Sequence, residues 1–449
     1  MKRISRRGVL AALGLGTVGT VALTGCASFP GASAATPSGQ VIDGYLDAGS
    51  LHSVEITVDQ SAYQEMIAAY QADQTKNWIE AMVTVDGVAH EKAGLKLKGN
   101  SSLQGLSADS EPQKLPWLVR FDKFVDGANH DGMTRMVIRA SSSTSALNEA
   151  VALDLLAKTG LASEKAAHIS LSVNGSDPVL RLTCQDLDES WVGQNFDVAG
   201  LLYKAESTGD YTYRGTDESA YKDVFDQETG KANLTPLIEF LQFINESSDA
   251  DFQSGLAQRV DVDKMVTYLA FEDVIDNFDD ITGPGNNSFL WWAEQANQMT
   301  VVAWDHNCAF GLKPGAGVGQ RWHGGGQPPG GGGQPSGGGS APSNGQAPTG
   351  QPPGGAGGQQ PPDAGQQPGD GGGRGTRANA LVDRFNSLLD GETKVSAERD
   401  RLKQELYTSG VAQAILDART KVLTDQAGSL IEQSAVEADK QTIAAYFTT

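Results

Sequence analysis

An α+β fold is predicted by three features of this 449-residue sequence. Short runs with two-residue alternation, broken by turn dipeptides, fill its first half. One strongly apolar helical pattern interrupts those runs, and the sequence beyond residue 380 is patterned for helices. Strands followed by helices is the order of an α+β domain.

Taken in order, Val54–Val58 alternates as a strand and Ser61–Ala72 has helical spacing. Ala81–Val85 and Gly94–Leu97 flank Asp86-Gly87, a hairpin signal because that dipeptide tolerates positive φ. Trp117–Phe121 reads as a strand, and Met136–Arg139 as a further one. Asn148–Thr159 carries apolar residues at helical spacing up to Gly160, as a glycine-capped helix should. His168–Val173 and Val179–Thr183 form a second hairpin about Asn174-Gly175. Beyond residue 380, Ala380–Leu389, Ala397–Tyr407, Val411–Val422 and Asp425–Phe447 read as helices.

The first residues read as a targeting signal outside the fold. Residues 1–25 have a basic start with Arg6-Arg7, a short apolar core and small residues ahead of Cys26. The twin arginine is similar to a Tat export signal. Leu23-Thr24-Gly25-Cys26 resembles a bacterial lipobox, which makes Cys26 the expected lipidated first residue of the mature chain. The alternative is a cleaved secretory peptide without lipid. The apolar run is shorter than the roughly 20 residues that span a bilayer, and no later segment reads as transmembrane. The expected location is therefore extracytoplasmic, lipid-anchored to the outer face of the cytoplasmic membrane. Residues 26–50 are small and polar and read as a flexible tether. Residues 313–379 are mostly Gly, Pro, Gln and Ser and are expected to be a disordered insertion, because they cannot bury enough apolar surface to order themselves. The folded part is then expected in two pieces, 51–312 and 380–449, enough for one large core or a two-lobed one.

A formal net charge of −21 argues against nucleic acid or anionic lipid as a partner, since both are bound through basic patches. It also requires a metal or a local Lys/Arg cluster wherever phosphate is to bind. After Cys26 only Cys184 and Cys308 remain, too few for a disulfide scaffold, although they could pair in an oxidising compartment. The six histidines have no metal-ligand spacing, which disfavours a zinc site.

Chemistry concentrates in Phe271–Gly311. Asp273, Asp276, Asp279 and Asp280 fall within eight residues, followed by Gly283-Pro284-Gly285 and the amide pair Asn286-Asn287. Two apolar runs, Phe289–Trp292 and Met299–Trp304, then deliver Asp305 and Asn307 just before Phe310-Gly311. Read as two strands with acidic and amide groups at their ends, the stretch gathers hard oxygen ligands of the kind that bind Mg²⁺ through one or two carboxylates and substrate phosphates. The plainer reading is an acidic helix end, a turn and a buried hairpin.

Six segments, in order, resemble the spore-coat-protein-H (CotH) kinase family of atypical secreted kinases. They are Gly94–Ser102 (GLKLKGNSS), Lys114–Phe124 (KLPWLVRFDKF), Leu201–Ala205 (LLYKA), Asn277-Phe278-Asp279, Asn286–Leu290 (NNSFL) and Trp304–Gly311 (WDHNCAFG). The resemblance implies an atypical protein-kinase-like two-lobed fold, binding of ATP and Mg²⁺, and phosphate transfer to Ser residues of secreted or cell-surface proteins. By resemblance Asp279 is the catalytic aspartate, with Asp280 its nearest competitor. Asn286 or Asn287 parallels a metal-binding asparagine, and Asp305 chelates Mg²⁺. Asp273 and Asp276 are read as solvated helix-face charges and His306 as structural. In the small lobe, Lys98, Asn100 and Ser101 would approach phosphate. Arg120, with Lys114 just before it, would supply the strand cation, Glu149 the helix glutamate, and Cys184–Asp188 the hinge. Lys204 is an alternative nucleotide ligand to Arg120, or equally a cation paired with a surface carboxylate.

The chain departs from the family pattern at Gln185, where many members carry an acidic residue. It also departs at Asn148, where the family's arginine is lost, and at Asn307, which removes a carboxylate beside Asp305. Those departures keep a second function open, a pseudokinase or surface binding protein. A hydrolase using the acidic cluster has less support, because no nucleophile elbow or Ser/His/Asp order is present.

Overall fold

The computed structural model describes residues 45–99, 101–141, 143–312 and 378–448, and at Ser101 the backbone alone. Cys26, the signal, most of the tether, Asn100 and nearly all of the 313–379 insertion lie outside those residues.

The first half is a closed seven-stranded barrel. Its strands are β1 (His52–Val58), β2 (Ile79–Val85), β3 (Val88–Leu97), β4 (Trp117–Arg120), β5 (Arg135–Ile138), β6 (Ala166–Val173) and β7 (Val179–Cys184), in the order β1-β2-β3-β4-β5-β7-β6. Parallel pairing of β6 with β1 closes it; the other pairs are antiparallel. Alternation sends Val54, Ile56, Val83, Leu95, Leu97, Val119, Ile138 and Ile169 inward, all buried. The predicted hairpin turn forms at Asp86 and Gly87, with φ of 48° and 81°. After β1, Asp59 accepts from the backbone N–H groups of Ser61 and Ala62 and so starts helix α1 (Gln60–Asp73).

Helix α2 (Leu147–Leu156) joins the barrel to the rest of the molecule, and nine of its ten residues are buried. It stops four residues before the predicted glycine cap. After α3 (Glu189–Asn195) a second antiparallel sheet is assembled from β8 (Gly200–Ala205), β9 (Phe225–Gln227), β10 (Ser288–Ala293) and β11 (Gln298–Ala303), ordered β11-β10-β8-β9. Helices α4 (Thr235–Glu246), α5 (Asp249–Gly255) and α6 (Val262–Val274) lie between β9 and β10 in the chain.

Beyond the insertion come α7 (Ala380–Leu389), α8 (Gly391–Leu402), α9 (Val411–Gln426) and α10 (Gln433–Ala444). The predicted 397–407 helix is replaced by α8, which starts earlier, and a π-helical turn at Lys403–Thr408. The predicted 425–447 helix starts only at Gln433. Arg419 of α9 binds Asp154 of α2 through Nε at 2.6 Å and Nη2 at 2.7 Å, and Nη1 donates to the Ala166 carbonyl at 2.9 Å. α8 packs along α6, directly behind the acidic stretch.

Candidate active site

The site is built where the end of β11, the start of α2 and the loop after α6 meet. Trp304-Asp305 follows β11, and Asp305 takes a left-handed conformation (φ 63°, ψ 72°) that turns its carboxylate out of strand alternation. Arg139, one residue past β5, reaches it. One Nη2 donates both to Asp305 and, at 2.8 Å, to Glu149 of α2. Burial works against the charge on this guanidinium, but Asp305 and Glu149 outweigh it and push its pKa above the ordinary arginine value. Burial pushes the Glu149 carboxyl up, against the pull of Arg139. At 2.8 Å the contact is a charge-assisted hydrogen bond from the guanidinium to the Glu149 carboxyl.

Lys98, at the end of β3, approaches from the barrel side. It binds Asp186 at 2.7 Å and sits 5.3 Å from the centre of the Trp304 ring, over which Arg139 also lies at 5.8 Å. Arg135 joins Lys98 on Asp186 at 3.3 Å. Lys204 on β8 pairs with Glu206 and lies close enough to Lys76 to depress its pKa, after burial, with smaller effects from Lys96 and Lys98. In a protein of charge −21 this is the local cation cluster that a phosphate ligand requires.

Two predicted cations lie elsewhere. Lys114 sits on a short turn (Pro112–Lys114), is exposed and pairs with Glu111, three residues before it. Arg120 is held by Asp122 two residues on, at 2.6 Å. Arg139 makes the bridge expected of Arg120. The expected hinge is structural in detail: Asp188 caps α3 through the Ser190 and Trp191 N–H groups, and the Gln185 side chain accepts from Lys165 N at 2.9 Å.

The loop after α6 presents Asp279. Its carboxylate accepts from the Gly285 N–H and from Asn287 Nδ2 at 3.1 Å. The Gly-Pro-Gly break has a steric reason. A Cβ on Gly283 would stand 2.5 Å from Asp279 Cα, and one on Gly285 would stand 2.5 Å from Asp279 Oδ2. Asn287 is therefore the amide beside Asp279. Asn286 is buried, with φ of 54°, and its Nδ2 donates at 3.1 Å to the carbonyl of Glu206, the residue just after β8. Asp280 turns to Thr282 instead, accepting from its N–H and Oγ1 at 2.8 Å.

Glu272 was not singled out by sequence. It is buried, accepts from Asn277 Nδ2 at 2.8 Å and meets His306 Nε2 at 3.2 Å. One carboxylate thus links the loop of Asp279 to the turn of Asp305. Burial disfavours charge on His306, yet Glu272 outweighs it and raises the pKa. Asp273 stands on α6, partly exposed and 3.6 Å from Arg399 of α8, whereas Asp276 lies past the end of that helix and accepts from Tyr446 at 3.1 Å. Glu164, also unforeseen, is buried within electrostatic reach of His306, Arg139, Glu149 and Asp305, and burial raises its pKa to about 8. Cys184 and Cys308 are both buried and unpaired by any disulfide.

Among the described residues no three His, Cys, Asp or Glu side chains converge as a metal cage. Asp305 nevertheless suits an ion held mainly by phosphates and water: it is 23% exposed, and the hydrogen bond it accepts from Arg139 falls on Oδ1, away from Oδ2.

A family model for the CotH kinase protein matches residues 95–337, more than half of the chain, and the chain belongs to the CotH family. It is also similar to inner spore coat protein H of Bacillus subtilis (strain 168), at 23% identity over 173 residues. That match covers 37% of this chain and 47% of the relative, so the chain spans about half the length of that protein.

Proposed function

We propose that this chain is an extracytoplasmic, lipid-anchored protein kinase that transfers the γ-phosphate of ATP to serine residues of exported proteins. The observation that carries the reading is the Arg139 bridge between Glu149 and Asp305, close to the Lys98 side of the barrel. A kinase site needs a cation fixed by a helix glutamate, a carboxylate for the metal and a second carboxylate for the acceptor hydroxyl. The barrel with α2 supports the part of a small lobe, and the β8–β11 sheet with its helices that of a large lobe. The sequence of residues 1–26 supports the location.

In this reading Asp279 orients the serine hydroxyl and takes its proton as the oxygen attacks phosphorus, with Asn287 and the Gly285 N–H holding the carboxylate in place. Lys98 and Arg139 offset charge on the transferred phosphoryl group. Asp305, with Asn287, would hold Mg²⁺, which neutralises phosphate charge. Asn286 is committed to the scaffold.

The second reading, a pseudokinase presenting a binding surface, is favoured by Arg139 already occupying Asp305 Oδ1. Thermal-shift titration separates the two. A ligand that binds only the folded state stabilises it by about 2.7 kcal/mol at a hundredfold excess over Kd. Mg-ATP is expected to stabilise the wild type and Asp279→Ala but not Asp305→Ala. Absence of any shift at millimolar Mg-ATP contradicts the kinase reading and favours the binding one.

A further inference from the structure

A second arginine holds Arg139 in place. Strand β5 ends at Ile138, so Arg139 stands just outside the ladder. Its N–H still donates to the Leu182 carbonyl of β7 at 2.8 Å. Its carbonyl is taken by a side chain: Arg181 of β7 donates to it through Nε at 3.0 Å and again through Nη2. The remaining arm, Nη1, donates at 2.9 Å to the carbonyl of Gln113, in the short turn ahead of β4. One guanidinium thus pins the peptide from which the Arg139 side chain starts.

Arg181 is buried, and among the described residues its hydrogen bonds all go to backbone carbonyls, none to a carboxylate. Burial lowers its pKa to about 10, so the side chain stays cationic at neutral pH. A buried charge without an opposite charge is costly. Capping a carbonyl does not call for such a group, because a neutral N–H donor would serve. The planar fork adds direction: two donors on one oxygen fix the orientation of the peptide as well as its place. Orientation matters at residue 139, because the long side chain beyond it must meet Glu149 of α2 and Asp305 after β11 through one Nη2. A small rotation of the peptide is multiplied along that side chain, and a displacement of about 1 Å in a site can cost on the order of a hundredfold in rate.

We propose that Arg181 is a positioning residue, which fixes the peptide of Arg139 so that the Arg139 guanidinium spans Glu149 and Asp305. What the bridge serves rests on the kinase reading; the clamp itself does not. Strand β7 then has a part in the site without touching any ligand, through the residue that follows β5.

The test is a double-mutant cycle on the full chain, read as urea midpoints. Arg139→Met removes the bridge but keeps the carbonyl that Arg181 holds. If Arg181 only capped that carbonyl, Arg181→Met would lower the midpoint equally with and without the bridge. The expected fall is at least about twofold smaller in the Arg139→Met background than in the wild type. Equal falls, or no fall in the wild type, overturn the proposal. Should Arg139→Met not fold, Arg139→Met/Glu149→Gln serves as the background, with the same two outcomes. Titration with Mg-ATP gives a second readout on folded variants. Arg181→Met is expected to weaken binding on the order of tenfold, and Asp279→Ala to leave it unchanged. Wild-type affinity in Arg181→Met also overturns the proposal. A wild type that does not bind Mg-ATP contradicts the kinase reading instead, and the urea cycle then decides the clamp alone.

Discussion

Arg139 is the residue on which the site turns. It is buried between two carboxylates, and removing a partner from such a group is far more damaging than never having built it. Arg139→Met should leave Glu149 and Asp305 facing each other uncompensated, at a cost of about 3–5 kcal/mol in urea unfolding. Adding Glu149→Gln should recover part of that loss, and an unchanged urea midpoint for Arg139→Met would contradict the bridge. Asp279 and Asp305 could be singled out in the sequence because they stand in segments that resemble family motifs, and Glu149 because it opens a helix readable from its apolar spacing. Arg139 could not, because its partner Asp305 lies 166 positions away and nothing local distinguishes it from Arg120. The position of the barrel strands decides between them: Arg120 meets Asp122 within its own turn, whereas Arg139 emerges past β5 toward α2. Glu272 was illegible because the fold brings it His306 from 34 positions further on.

Among elements, hairpins and the loop around Asp279 were the most readable. Asp86-Gly87 and Asn174-Gly175 encode turns locally, and both form. Closure of the barrel through parallel pairing of β6 with β1 has no local signal. α8 was misread because its polar face, with Lys394, Glu398 and Arg401, hides the apolar spacing. Gly283-Pro284-Gly285 could be read as a break but not as a cradle. Gly285→Ala would drive a methyl group to 2.5 Å from Asp279 Oδ2. If Asp279 acts as proposed, displacing its carboxylate in this way should lower phosphate transfer by roughly a hundredfold. Urea unfolding should show a loss of no more than about 1–2 kcal/mol, because the loop lies at the surface of the core. A variant as active as the wild type would mean that the position of Asp279 is not what the glycine protects.

At the scale of the molecule, two pieces of sequence separated by residues 313–379 meet around α2. Glu164 and His306, both in its surroundings, make stability depend on pH. The folded pKa of Glu164 is raised from 4.5 to about 8, chiefly by burial, so folding holds a proton that the unfolded chain releases. Its contribution is fully present below the unfolded value and is lost as pH rises through about 8. His306 shifts in the same sense. Urea unfolding should therefore show stability falling from pH 5 to pH 9, by about 5 kcal/mol at most from Glu164. Glu164→Gln should flatten the profile. A wild-type profile that rises over this range would contradict the burial argument.

The proposed phosphate transfer is measured directly by single-turnover labelling with γ-labelled ATP, Mg²⁺ and a mixture of exported proteins. The wild type should place label on serine. Asp279→Ala and Asp305→Ala should each reduce the rate at least a hundredfold, with Asp279→Ala still stabilised by Mg-ATP. Labelling that survives both substitutions, or none from a wild type that binds Mg-ATP, would contradict the assignment of this site as a kinase.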